Sequence, residues 1–266
     1  MTRLETALRA LRTRGRTGLI PYFPVGFPHA DSTLALVAAA AAAGADAIEL
    51  GIPFSDPLAD GSTIQRATTR ALQNGVTLGV CLEAVRAARA SGQTIPLLLM
   101  GYYNPILRYG VDRFAREAGA AGLDGCIVPD LPPEEASELR AALESAGIAL
   151  VPMVAPTSTD ERLRLAAAVA SGFVYCVSVT GVTGARRELP PELPGFIARV
   201  RAVTDLPIAV GFGVSTSEHV EQVGQLADLA IVGSAVVDRV DCPTTAEAAQ
   251  ALSEYLRELR GAVAAR

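Results

Sequence analysis

Short, nearly continuous apolar runs recur along the chain at residues 18–23, 47–52, 96–100, 125–128, 149–153, 173–179, 207–210 and 229–232. None alternates regularly with polar residues, so each reads as a strand covered on both faces, as in a parallel sheet. Between them, apolar residues return at helical spacing, over 63–72, 78–90 and 112–120 among others. An alanine-rich helix is expected from a cap at Asp31 or Ser32 up to Gly44, and another carries Glu134 and Glu135 in its first turn, where the helix dipole favours acids. A further helix starts near Thr159 or Asp160, and a closing helix runs over 245–259. At the N-terminus, Leu4, Ala7, Leu8 and Leu11 alternate at helical spacing with Arg3, Glu5, Arg9, Arg12 and Arg14, the pattern of an amphipathic cap helix. Strand and helix alternating eight times predict an α/β fold: one eight-stranded parallel (β/α)8 barrel, the TIM-barrel architecture, over residues 1–266. The alternative is a doubly wound open sheet, which normally has fewer strand–helix units in a chain of this length.

Composition narrows the chemistry. Half of the 266 residues are hydrophobic, enough for one large core. The net charge is −5 and the 23 basic residues are not clustered, which argues against nucleic-acid binding. All 23 are arginine. Without lysine, this chain forms no Schiff base with a substrate and holds no pyridoxal phosphate covalently. Cys81, Cys126, Cys176 and Cys242 are 45, 50 and 66 residues apart, and His29 and His219 are the only histidines, so no metal-ligand spacing exists and no metal is expected. Four scattered cysteines fit reduced side chains in a cytoplasmic protein. The longest uncharged apolar run, 34–45, is too short to span a bilayer, and the first helix lacks the core of a signal peptide.

One stretch, 46–65, departs from this pattern. Glu49 sits inside an apolar strand, where burial favours the neutral acid and prepares it to donate a proton near neutral pH. The structural alternative is an ion pair with an arginine. The following loop, with Pro53, Pro57 and Gly61, holds Asp56 and Asp60. Two carboxylates in unlike surroundings take unlike roles.

In a barrel of this kind the active site lies at the C-terminal ends of the strands, often with a phosphate site after strands seven and eight. Gly213 and the Gly233–Ser234 pair stand there, with backbone N–H groups free to surround an anion. Tyr22, Met100, Ile127, Tyr175 and Phe212 stand near strand exits and supply a slot for a flat apolar ring, or simply core. The glycine- and threonine-rich segment 180–187 is expected to close over the mouth. The substrate implied is small, with an aromatic part and a phosphate.

Residues 49–61, Glu-Leu-Gly-Ile-Pro-Phe-Ser-Asp-Pro-Leu-Ala-Asp-Gly, resemble the signature of the tryptophan synthase alpha subunit family. Residues 101–105, 128–132 and 178–184 resemble its other loops, and the likeness extends to the closing helix. The resemblance implies cleavage of indole-3-glycerol phosphate to indole and glyceraldehyde 3-phosphate. It makes Glu49 the general acid/base and Asp60 the counter-charge to the indole nitrogen. Gly184, Gly213, Gly233 and Ser234 would hold the phosphate, and Thr183 would belong to the closing loop. It also implies a partner: a beta subunit that carries pyridoxal phosphate, joined in an alpha2-beta2 complex through Asp56, Asn104, Asp130 and Pro132. Ser62 departs from the family, which usually has proline there.

A retro-aldol cleavage needs an electron sink, normally a lysine iminium or a metal. Protonation at C3 of the indole makes that sink within the substrate itself. The competing readings are a stand-alone lyase that releases indole, a sugar-phosphate isomerase on the same barrel, and a regulatory subunit.

Overall fold

The computed structural model describes residues 1–58, 60–177, 190–211 and 213–261. Its strands are β1 (Gly18–Pro24), β2 (Ile48–Gly51), β3 (Leu97–Met100), β4 (Gly125–Ile127), β5 (Ala149–Val151), β6 (Met153–Val154), β7 (Val174–Val177), β8 (Ile208–Gly211) and β9 (Leu229–Val232). They pair in parallel in the order β5-β4-β3-β2-β1-β9-β8-β7-β6. The two ends of that order, β5 and β6, are halves of the predicted fifth strand, interrupted at Pro152. Proline has no N–H to give a ladder, but its carbonyl still accepts from Tyr175 N at 3.0 Å. The sheet thus closes on itself as the expected barrel of eight strands, one of them broken.

The helices are α1 (Arg3–Arg14), α2 (Ser32–Ala42), α3 (Ser62–Gln73), α4 (Leu78–Ala90), α5 (Tyr103–Tyr109), α6 (Val111–Ala121), α7 (Ser137–Ser145), α8 (Asp160–Val169), α9 (Leu193–Arg201), α10 (Ser217–Leu226), α11 (Ser234–Val240) and α12 (Thr245–Gly261). Three expectations need correction. Residues 103–105 are not exit loop but the first turn of α5; Pro105 is tolerated because first-turn N–H groups have no helical acceptor. Glu134 and Glu135 lie in a separate 3-10 turn, Pro133–Glu135, ahead of α7. Asp31 precedes α2 without capping it; its carboxylate accepts from the Thr245 hydroxyl at 2.8 Å. Thr159 does cap α8, accepting from Arg162 N at 3.3 Å.

Strand residues alternate between two cores, as the period of two requires. Leu97 and Leu99 face the surrounding helices, whereas Leu98 faces the barrel interior with Ile20, Ala47, Ile127, Val151, Ala209 and Ile231. Leu4, Leu8 and Leu11 of α1 join that interior cluster, so the cap helix plugs the barrel at the N-terminal ends of the strands.

The same end carries a repeated polar device. Asp46, Asp124 and Asp228 each immediately precede or lie close to the start of a strand. Each donates its N–H to a neighbouring strand residue, Leu19, Leu97 or Ile208, at 2.9, 3.0 and 2.9 Å. The carboxylate of each accepts the N–H of that same residue, at 2.9, 2.8 and 2.8 Å. Arginines from the outer layer complete the charges: Arg16 and Arg260 at Asp46, Arg3 and Arg89 at Asp124, Arg201 at Asp228.

Candidate active site

Register aims Glu49 inward. It pairs with Tyr22 of β1 and Leu98 of β3, both at interior parity, while its neighbours Ile48 and Leu50 pack outward. The side chain is 1% exposed, and neither carboxylate oxygen has a hydrogen-bond partner among the described residues. An ionised carboxylate there would lose hydration with nothing in return. Burial, followed by the nearby charge of Asp60, pushes Glu49 up to about 8. The arginine ion pair considered from sequence is not formed with any described residue.

Asp60 stands in the loop between β2 and α3, its backbone carbonyl accepting from Gln65 Nε2 at 2.8 Å. Burial raises its carboxyl as well, but the Tyr102 hydroxyl, hydrogen-bonded to it, opposes the rise. The two acids are therefore differently served: one bare, one with a donor that favours its charge. Ser62 is the first residue of α3, the position where proline's fixed backbone is also suited. Serine here starts the helix as well, which explains how the chain departs from its resemblance without losing the element.

Above Glu49 the strands open into a cavity of ≈ 500 Å³, within the range that holds small ligands. Its walls include Tyr22, Met100, Tyr175 and Ile231 from the strands, Gly213–Ser215 after β8, and Gly233 and Ser234 after β9. Gly213 has φ +90°, open only to glycine at low cost, and apart from its chain neighbours no described residue has an atom within 4 Å of where a Cβ would sit. The hydroxyls of Tyr22 and Tyr175 press against Gly51 and Gly211, where a Cβ would collide with them. Both phenols are pushed well upward by burial, with the charge of Glu49 adding to it.

Comparison with known proteins bears on this cavity. A family model described as tryptophan synthase alpha chain matches residues 8–264. The chain belongs to this family. A tryptophan synthase alpha chain of Roseiflexus sp. (strain RS-1) is 52% identical over 261 residues, 98% of this chain and 100% of that protein. The alpha chain of Chloroflexus aggregans is 53% identical over 259 residues, 97% of each. Among solved structures, tryptophan synthase subunit alpha from Legionella pneumophila superposes with a TM-score of 0.91 at 37% identity, covering 98% of both chains. Tryptophan synthase of Mycobacterium tuberculosis does so at 0.90 and 41%, again over 98% of both.

Of the residues expected from sequence, Glu49, Asp60, Tyr22, Met100, Tyr175, Gly213, Gly233 and Ser234 share the cavity. Ile127 does not. It is opposite Met100 in register but wholly enclosed in the interior core, so it is packing rather than pocket. Thr183, Gly184 and Phe212 lie outside the described residues. Asp56, Asn104 and Asp130 are exposed and Pro132 half-buried around the barrel mouth. Asp130 also accepts from Tyr103 N at 2.8 Å, tying the exits of β3 and β4 together. Phe54 and Tyr102, with ring centroids 5.5 Å apart, tie the exits of β2 and β3. Sequence reasoning placed Tyr102 only in the 101–105 loop and gave it no part in the site. It also missed Ser215, Arg239 and Tyr255, which line the cavity from the exit of β8 and from two outer helices. No local pattern marks them, because Tyr255 reads as an ordinary apolar position of an amphipathic helix.

Proposed function

We propose that the chain is a carbon–carbon lyase that cleaves indole-3-glycerol phosphate to indole and glyceraldehyde 3-phosphate. The observation that carries this reading is the enclosed Glu49 carboxyl, without a hydrogen-bond partner among the described residues and pushed up to about 8, beside a second acid that has the Tyr102 hydroxyl as donor, in a cavity of ≈ 500 Å³. Protonated Glu49 delivers its proton to C3 of the indole, forming an indolenine whose positive charge lies at nitrogen. The Asp60 carboxylate, supported by Tyr102, stands as its counter-charge. The bond from C3 to the glycerol chain then breaks, and its electrons restore the indole. The departing carbon becomes a carbonyl as its hydroxyl proton passes to the Glu49 carboxylate, which returns the acid to its starting state. The backbone at Gly213, Gly233 and Ser234 holds the phosphate, together with Gly184.

The same reading gives the chain a tryptophan synthase beta subunit as partner, in a cytoplasmic alpha2-beta2 complex. Pyridoxal phosphate belongs to that partner; a chain without lysine has no amine to hold it covalently. Support for docking at the barrel mouth comes from Leu58, 87% exposed in the acidic loop beside Asp56. The test is direct. The purified chain with indole-3-glycerol phosphate should form indole slowly alone and faster with a beta subunit. No indole under either condition would exclude the reaction.

A further inference from the structure

The cavity's described ionisable side chains include Glu49, Asp60 and Asp238, yet the ligand proposed for it is a phosphate ester. One cation is found among its described lining residues, Arg239 in the last turn of α11. Its guanidinium lies 4.8 Å from the centroid of the Tyr255 ring. The Tyr255 hydroxyl donates to the carbonyl of Ser215 at 2.7 Å, and the N–H of Ser215 donates to His219 Nδ1 at 3.3 Å. Arg239 is thereby held one ring away from the loop carrying Gly213. Neighbouring arginines are committed elsewhere: Arg66 to Asp238 and Asp241, Arg70 to Asp241. Arg239 forms no ion pair with a described residue. A guanidinium over a ring uses no N–H donor on a charged partner there, and its planar fork of donors matches the oxygens of a phosphate. Contact with a ring that is itself 2% exposed restricts the group, so less freedom is lost when an anion binds.

We propose that Arg239, held over the ring of Tyr255, is a direct ligand of the substrate's phosphate and sets the preference for phosphorylated over unphosphorylated substrate. The inference rests on the reading of this cavity as an indole-3-glycerol phosphate site. The backbone donors around Gly213 and Ser234 are neutral, Glu49 is protonated and Asp238 is paired with Arg66, so a dianion held beside the Asp60 carboxylate gains from the one cation among the described lining residues.

The experiment uses the full chain as parent, Arg239→Gln and Arg239→Lys. Inorganic phosphate binding is measured by calorimetry, and cleavage is measured with indole-3-glycerol phosphate and with indole-3-glycerol. Loss of a charge-assisted hydrogen bond predicts a roughly 10-fold to 100-fold weaker phosphate affinity in Arg239→Gln. KM for the phosphorylated substrate should rise by a similar factor with kcat little changed, so the discrimination between the two substrates collapses. Arg239→Lys should restore part of it. Phosphate affinity unchanged in a folded Arg239→Gln would overturn the proposal, as would equal losses on both substrates, which mark a purely structural role. Arg239-dependent phosphate binding in a parent that cleaves neither substrate, alone or with a beta subunit, would uphold this inference and remove the proposed reaction.

Discussion

A carboxyl group enclosed by tyrosine, leucine and methionine keeps its proton because burial takes its charge away from solvent and no described residue donates to it. That fact about Glu49 makes two measurable statements. In the proposed role of the acid that starts the reaction, it must be protonated in the free enzyme, so kcat/KM should fall as pH rises through about 8. Glu49→Gln keeps the size of the side chain but has no proton to transfer, and turnover should drop about 100-fold to 10,000-fold; near-parental turnover would remove Glu49 from the mechanism. The second statement concerns stability. Unfolded, Glu49 ionises near 4.5, and folded it does so only at about 8. Its contribution is therefore fully present below 4.5 and is lost as pH rises through the interval to 8, because only the unfolded state gains from ionising there. Glu49→Gln lacks this loss. Its urea stability relative to the parent should improve by on the order of 4 kcal/mol between pH 4.5 and pH 8.5. A relative stability that does not change with pH would mean that the parent's side chain is not enclosed as described. For Asp60, Tyr102→Phe removes the donor that favours the carboxylate; cleavage should slow about 10-fold, with Asp60→Asn slower still, as read in the same steady-state assay.

Elements are joined by different means at the two ends of the barrel. At the N-terminal end, the aspartates at 46, 124 and 228 bind backbone and arginine together, and Asp124 is the most enclosed, with a side chain 3% exposed. Asp124→Asn retains an acceptor for Leu97 N but leaves Arg3 and Arg89 without their counter-charge. Breaking a buried pair in this way should cost about 3 kcal/mol, seen as a lower urea midpoint with the cleavage rate of the folded protein unaltered. At the other end the strands meet through close packing of tyrosine on glycine. Gly211→Ala places a methyl group where the Tyr175 hydroxyl lies, and strain of about 1–3 kcal/mol is expected. Tyr175→Phe removes that hydroxyl but leaves ring carbons 2.7 and 2.8 Å from the methyl position, so the double variant should recover only part of the loss. Additive losses in the two variants would show that this contact is not what requires glycine in β8.

For the whole molecule, the division into a tied end and a working end sets what a partner can change. The interior is filled from Leu4, Leu8 and Leu11 up to Glu49, and beyond Glu49 the cavity opens among loops that touch one another through Phe54, Tyr102, Tyr103 and Asp130. A subunit pressing on Asp56, Leu58 and Asp130 would bear on the loop that holds Asp60, two bonded contacts from the chemistry. Steady-state indole formation at rising beta-subunit concentration should therefore climb and saturate. Fast cleavage by the isolated chain with no response to the partner would favour a stand-alone lyase instead.

The order of strands and helices was written locally, in unbroken apolar runs and in helical spacing, because those periods follow from backbone geometry alone. So was the cap helix, and so was the anomaly of Glu49, since one acid in an apolar strand is visible without a fold. The absence of lysine likewise limits the chemistry through composition alone, since no arrangement of the chain can supply an amine it does not contain. Closure at Pro152, the early start of α5 and the wholly enclosed position of Ile127 depended on how neighbouring strands pair, and a single strand's pattern does not carry that information. Tertiary structure alone brought Tyr102 to Asp60, and brought Arg239, Tyr255 and Ser215 from three separate segments to one wall. A site is a meeting of side chains distant in sequence, so its outer members are named only when the barrel has closed.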